Sequence, residues 1–394
     1  MDIVNLSNIP INQRELFDHI EKKFNLSQLK HLGTFKRGKG ISNEDLKENG
    51  YPCITYGQLY TSFNGIIRKA VTHIDEVTMK NSSKSQKGDI LFPGSGETLE
   101  EIGKASVNLL DETLYAGGDI IIFTPSKKIN PLYLSYFLNS YLFLAQSRRL
   151  GQGHSVVHIY SKDLENIIVP VPRVEEQKKI ANILSTWDRA LELKIDLLSM
   201  KEKSVTEFLS IIFNYKYTEG NHSIANLISK EHKTNRKSSE GKEHGAYPFF
   251  TNSTEDYHKY LDEHDFDGEY IIINTGGKAY FDYYNGTFSA MSDCYIISTK
   301  SAINTKYFFY LLKRMEKYIN YVGFNGSGLK HLDKKWFKKQ KVNLPDINIQ
   351  MKIVDYLDSL NREISLLKSE IIMLRQQKKG LMQQLLTGKI RVQS

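Results

Sequence analysis

Cysteine is nearly absent from this sequence: Cys53 and Cys294 are the only two in 394 residues. So far apart in sequence, they offer neither a disulfide framework nor a cysteine-based zinc site. No stretch approaches the ~18 consecutive apolar residues of a membrane span. The opening MDIVNLSNIPINQRELFDHI has neither the basic nor the apolar region of a secretory signal. The expectation is therefore a reduced, soluble, cytoplasmic protein. Proline is sparse, at nine residues, and the 26 glycines show no period, which excludes a collagenous chain. The rest of the composition, 40% hydrophobic and 25% charged, is that of a folded protein. At ~150 residues per domain the length suits two or three domains.

Signatures of catalysis are missing as well. Residues 33–40, GTFKRGKG, approach the spacing of a phosphate loop, but Gly40 stands where a Ser or Thr must hold magnesium. Gly94-Ser95-Gly96 and Gly151-Gln152-Gly153 lack the third glycine of a dinucleotide fingerprint. No Pro-Pro dipeptide occurs, so no Asn-Pro-Pro-Tyr loop of the adenine-methylating type is present. His154 and His158 stand four residues apart but follow a glycine-rich run and not a predicted helix, so no His pair offers two zinc ligands on one helix face. No catalytic or metal-ligating residue is assigned. The net charge of +8 and pI of about 9.0 favour polyanionic partners only mildly.

What the sequence does have is a repeat. IVPVPRVEEQKKI at 168–180 returns in weaker form as KVNLPDINIQMKI at 341–353, an offset of 173 that sets Pro172 on Pro345, Gln177 on Gln350 and Ile180 on Ile353. Gly153 falls on Gly326 and His158 on His331 at the same offset, Asp119 meets Asp293 at 174, and Tyr51-Pro52 meets Tyr247-Pro248 at 196. The chain reads as a divergent tandem duplication whose second copy has lost residues. Each copy opens with short β-like runs such as 89–92 and 119–123, or 270–273 and 294–297, punctuated by Gly, Asn and Ser. A helix follows in each, from Pro131 to about Ala145 and from Thr305 to about Tyr321.

Each copy then closes with a long helix. Steps of four and three from Ile180 reach Ile212, and from Ile353 reach Leu385; eight and nine of the ten positions are apolar, the exceptions being Lys194, Lys201 and Lys378. That is coiled-coil spacing over about five heptads. The first helix delivers the chain to the second globular part, so an antiparallel return is the simplest path. The expected fold class is α+β: two globular α/β domains separated by two long helices in an antiparallel coiled coil with pseudo-two-fold symmetry. The expected divisions are an N-terminal extension 1–25, a first head 26–173, a helix 174–215, a second head 216–346 and a helix 347–394. Asn12 and Glu15 are expected to cap a short helix in the extension, carrying Leu16, Phe17, Ile20 and Phe24.

Two related heads on a spacer suit a two-part target, and duplex DNA repeats every ~34 Å. The VPVPRVEEQKKIANIL and VNLPDINIQMKIVDYL stretches and the tail Leu385-Leu386-Thr387-Gly388-Lys389-Ile390-Arg391 resemble the conserved regions of type I restriction–modification specificity (S) subunits. The resemblance runs from about residue 27 to the end. It implies that each head is a target recognition domain for one half of a split sequence in double-stranded DNA. It also implies that the helices are ruler and docking surface for two methylation (M) subunits, joined by restriction–motor (R) subunits. The chain itself would be no enzyme and bind no cofactor. S-adenosylmethionine would belong to the M subunits, which methylate adenine N6, and ATP with magnesium to the R subunits. The heads carry 17 basic against 14 acidic residues (26–173) and 19 against 16 (216–346), too few to grip DNA unaided.

Base and phosphate contacts are expected from polar loops. In the first head these are Lys36, Arg37 and Lys39, then Ser95, then Gln152, His154 and Ser155. In the second they are Thr251, Asn252 and Ser253, then Lys278, and Asn325, Ser327 and Lys330. His158 and His331 are expected to hold local structure, since a recurring polar residue before an apolar run commonly satisfies nearby backbone. The competing reading is a non-enzymatic coiled-coil protein–protein adaptor, which would show no salt-sensitive DNA association.

Overall fold

A computed structural model describes residues 11–96, 104–147, 157–213, 220–251, 259–326, 328 and 330–392. Among these no helix is long and apolar enough to cross a membrane. The chain forms two compact units, Met1–Leu193 with Ile371–Ser394, and Lys194–Glu370.

The head of the first unit is built on a five-stranded sheet in the order Gly33–Arg37, Ile120–Pro125, Ile90–Pro93, Ser106–Asn108, Ile66–Ile67. Its central strands are continuous apolar runs because both faces are covered. Ile121 and Phe123 join Ile90 and Phe92 in one core, while Ile120 and Ile122 join Leu91 in another. A four-stranded sheet, Thr72–Ile74, Tyr51–Ile54, Leu114–Ala116, Ser83–Ser85, lies in the same head. The second unit repeats the two-core logic on a six-stranded sheet. Along Phe266–Asn274, Ile271 and Ile273 face one core and Ile272 the other.

The helix after each sheet starts where the sequence indicates. Asn130 and Asn304 cap it, their side chains accepting from Tyr133 N (2.9 Å) and Tyr307 N (2.9 Å). Thr305–Val322 runs unbroken, but the first-head helix does not reach Ala145 in one piece. It splits into Pro131–Leu138 and Tyr141–Ser147, because Asn139 turns its Nδ2 onto the Ser135 (2.8 Å) and Ala105 (2.7 Å) carbonyls.

The long helices are Val174–Ile212 and Ile347–Leu386. In the second unit Lys194 meets Glu370 (2.6 Å), Lys201 meets Glu363 (2.6 Å) and the Phe208 and Tyr356 rings lie 4.6 Å apart. Numbers rise on one helix as they fall on the other, so the pair is antiparallel. In the first unit Asp188 pairs with Lys378. Each lysine that interrupts the apolar repeat thus has a carboxylate on the facing helix.

The N-terminal helix is Ile11–Glu21, so Asn12 lies within it instead of capping it. Phe17, Ile20 and Phe24 are buried in one core with Leu385 and Leu386. Beside them Arg391 grips Glu176 with two hydrogen bonds (Nε to Oε1 and Nη2 to Oε2, both 2.8 Å) and lies over the Phe24 ring.

Candidate nucleic-acid interface

In the first head the edge strand Gly33–Arg37 lies against Ile120–Pro125, with Arg37 opposite Ile121 and Lys36 opposite Ile122. Successive side chains leave a strand on opposite faces. Lys36 reaches toward buried Asp89 (3.8 Å), whereas Arg37 Nη2 donates to Asp119 Oδ1 at 3.1 Å. Lys39 follows the strand and is exposed, with its backbone N–H donating to Ala116 O (3.1 Å). Ser95 is buried, and its hydroxyl donates to Asp119 Oδ2 (3.4 Å) instead of facing solvent. Asp119 is therefore the hub that orients both Arg37 and Ser95. Its backbone is left-handed (φ 55°), a conformation a short polar side chain tolerates better than most. Around it is a cavity of about 330 Å³ lined by Lys36, Arg37, Gly94, His158 and Tyr160 among others.

Two backbone hydrogen bonds frame this site. Gly94 N donates to Asp119 O (2.6 Å), and Gly94 O accepts from Ile159 N (3.0 Å). The approach needs glycine, since a Cβ on Gly94 would stand 2.9 Å from Asp119 O. His158 pairs with Ser95 in a short antiparallel ladder and its ring stacks on Tyr160.

The second head contains the same frame. Thr275 N donates to Asp293 O (3.3 Å), and Thr275 O accepts from Leu332 N (2.9 Å). His331 bridges Gly276 and pairs with Asn325, and Gly277 N donates to Lys330 O (2.8 Å). Three predicted residues, Lys278, Asn325 and Lys330, are thereby brought near one another and are exposed. Thr251 is half-buried, just after the strand Tyr247–Phe250. Gln152, His154, Ser155, Asn252, Ser253 and Ser327 lie outside the described residues.

Other charges are already engaged. Arg236 donates to both oxygens of Asp265 (Nε to Oδ2, 2.9 Å; Nη2 to Oδ1, 2.8 Å), which holds the Asp265 carboxyl below the usual range. Both cysteine thiols are buried; burial raises both, pushing Cys294 up to about 12, so neither is a ready nucleophile. Among the described residues no His, Cys, Asp or Glu cluster is arranged to hold a metal ion.

Sequence reasoning missed the role of Asp119. Its recurrence at Asp293 was a signal of importance, but the hydrogen bonds that make it a hub depend on pairings 24 and 82 residues away. It also passed over the lysine-rich helix Lys334–Lys339, whose charge run was visible.

Each head joins its long helix in the same way. Gln177 Oε1 accepts from Asn130 N (2.6 Å) while its Nε2 donates to Pro172 O (2.8 Å). Gln350 accepts from Asn304 N (3.0 Å) and donates to Pro345 O (2.9 Å).

Comparison with known proteins points in one direction. A Methanocaldococcus jannaschii protein named as the specificity subunit of the type I restriction enzyme MjaX is 25% identical over 420 residues, covering 95% of each chain. The MjaVIII specificity subunit of the same organism is 25% identical over 204 residues, 50% of this chain and 47% of its own. In fold, the chain is similar to the S subunit of a type I restriction–modification system from M. genitalium, with a TM-score of 0.64 at 18% identity, over 92% of this chain and 96% of that one. A chain from a structural study of type I complex assembly and conformational transition gives 0.57 at 12% identity, over 93% and 98%. Residues 21–199 and 221–376 match the model of the type I restriction modification DNA specificity domain, and the chain belongs to that family.

Proposed function

We propose that this chain is the DNA specificity subunit of a type I restriction–modification complex, with each head reading one half of a split double-stranded target. The observation that carries the reading is the duplicated frame with unlike side chains. The same pair of backbone hydrogen bonds holds a site that presents Lys36, Arg37 and Lys39 in one head and Lys278, Asn325 and Lys330 in the other. Arg and Lys suit guanine edges and phosphates, and Asn suits adenine. One frame with two sets of readers fits two different half-sites in a non-palindromic target.

The helices fix the unread gap between the halves and dock two methylation subunits. Those partners bind S-adenosylmethionine and methylate adenine N6, and restriction subunits using ATP and magnesium complete the complex. This chain confers specificity on both reactions and performs neither. Because each head carries only a small basic excess, the partners supply part of the grip on the phosphates.

The test is co-expression with a cognate type I methylation subunit, in a host free of adenine methylation, followed by genome-wide mapping of N6-methyladenine. Two half-sites around a fixed gap are expected. An assembled complex that binds DNA with no sequence preference would sink the proposal.

A further inference from the structure

The six residues of Lys334–Lys339, KKWFKK, divide between two tasks. Phe337 is fully buried, Trp336 packs beside Tyr318 with ring centres 5.6 Å apart, and Asp333 caps the helix by accepting from Lys335 N (2.9 Å) and Trp336 N (3.0 Å). These fasten the helix to the second head. Lys338 is paired with Glu231 (2.8 Å). Lys334, Lys335 and Lys339 are exposed, as are Lys330 before the helix and Lys341 after it. The Lys334 ammonium stands 4.5 Å from the centre of the Tyr295 ring. Lys334 is exposed as a residue, but the loss of water where its ammonium meets that ring holds it below its ordinary value, and the neighbouring Lys233 and Lys338 charges push the same way against Glu231 and Asp293.

The duplication supplies an internal control for what the fold requires. At the offset of 173, Lys334–Lys339 matches residues 161–166, SKDLEN. The anchor is kept, Leu164 being fully buried where Phe337 is. Both copies run on into a short strand, Ile168–Val171 and Lys341–Val342. The outward positions are not kept: Ser161, Lys162, Glu165 and Asn166 stand where the second head has Lys334, Lys335, Lys338 and Lys339. A helix that folds in one copy with one lysine and a glutamate does not need four lysines in the other. Like charges gathered without enough carboxylates to neutralise them are destabilising unless an anion answers them.

We infer that the Lys334–Lys339 helix is a phosphate-backbone grip particular to the second head, in which Lys334, Lys335 and Lys339 lie against DNA beside that head's half-site. The grip continues from Lys330 and His331 of the duplicated frame, and it rests on the DNA-specificity reading. It makes the two heads unequal in non-specific affinity while leaving the bases each one reads unchanged.

The experiment uses the assembled complex with its methylation subunit and a duplex carrying the mapped motif. A triple variant, Lys334→Gln, Lys335→Gln and Lys339→Gln, is compared with a triple Arg variant and the parent across salt concentrations. Each lost phosphate contact lowers the slope of log affinity against log salt by ~0.9. Up to ~2.7 is therefore expected for the Gln variant, or a salt-induced loss that is roughly 40-fold smaller between about 50 and about 200 mM. The Arg variant keeps the parent slope, and the methylated motif stays the same in all three. A Gln variant with the parent slope overturns the grip. So does one that loses its methylation subunit while DNA binding keeps its salt dependence, since the helix would then be a protein-docking face. If the unmodified complex itself yields no split motif, the specificity reading fails first, and the failure is visible before any variant is made.

Discussion

Gln177 is fully buried and Gln350 nearly so, and each ties three parts of its unit together: a helix cap, a proline carbonyl and the first turn of a long helix. Deleting the amide leaves buried backbone groups without partners, at about 1–3 kcal/mol each. Gln177→Ala is expected to destabilise the protein by about 2–5 kcal/mol in urea denaturation. Gln177→Glu should be no better, since it replaces the donor to Pro172 with a buried carboxylate. If either variant unfolds with the parent midpoint, the clamp is decorative. These glutamines were legible in the sequence because the repeat aligns them. Asp119 was legible only as a recurrence, since its left-handed backbone and its bonds to Arg37 and Ser95 arise from strand pairing across long sequence separations. The burial of Ser95 was illegible for a related reason: a Gly-Ser-Gly run looks like an open loop until its partner strand at His158 is known.

At the scale of elements, the heptad pattern foretold both long helices, and the structure explains its interruptions through Lys194, Lys201 and Lys378. Periodicity also separates seam from surface on one helix. Ile364 is 9% exposed and Leu366, two residues on, is 59% exposed. Ile364→Asp is expected to lower the unfolding free energy by several kcal/mol, because it buries an unpaired carboxylate. Leu366→Asp should change stability by less than ~0.5 kcal/mol. Equal effects would place the seam elsewhere. What periodicity could not foretell was the break at Asn139, which depends on a side chain finding the Ala105 carbonyl, or the docking of the tail.

The tail carries its own pH signature. The two hydrogen bonds from Arg391 hold the Glu176 carboxyl below its ordinary value of 4.5, against the opposing effect of burial. A carboxylate whose folded value is depressed stabilises fully above its unfolded value and loses that contribution as pH falls through the folded one. Thermal midpoints of the parent and Glu176→Gln should therefore differ at neutral pH and converge below about pH 4. A difference that grew toward acid would have the wrong sign for this pair.

At the scale of the whole molecule, the ion pairs locate where the two helices must be lengthened together. Lys194 to Lys201 on one helix faces Glu370 to Glu363 on the other, a single heptad bounded by its own salt bridges. Duplicating that heptad on both helices preserves the apolar register, whereas an insertion in one helix alone shifts every seam position beyond it. Seven residues add ~10 Å of helix, equivalent to about three base pairs of duplex. If helix length sets the gap, the matched insertion should give a methylated motif with both half-sequences intact and about three more unread base pairs between them. The half-sequences must stay the same because neither head is altered. An unchanged gap with methylation retained would mean that the heads, not the helices, determine the spacing. The single-helix insertion serves as the companion measurement. It should lower stability before it moves the motif, because every seam pair beyond the insertion is displaced by one heptad from its present partner.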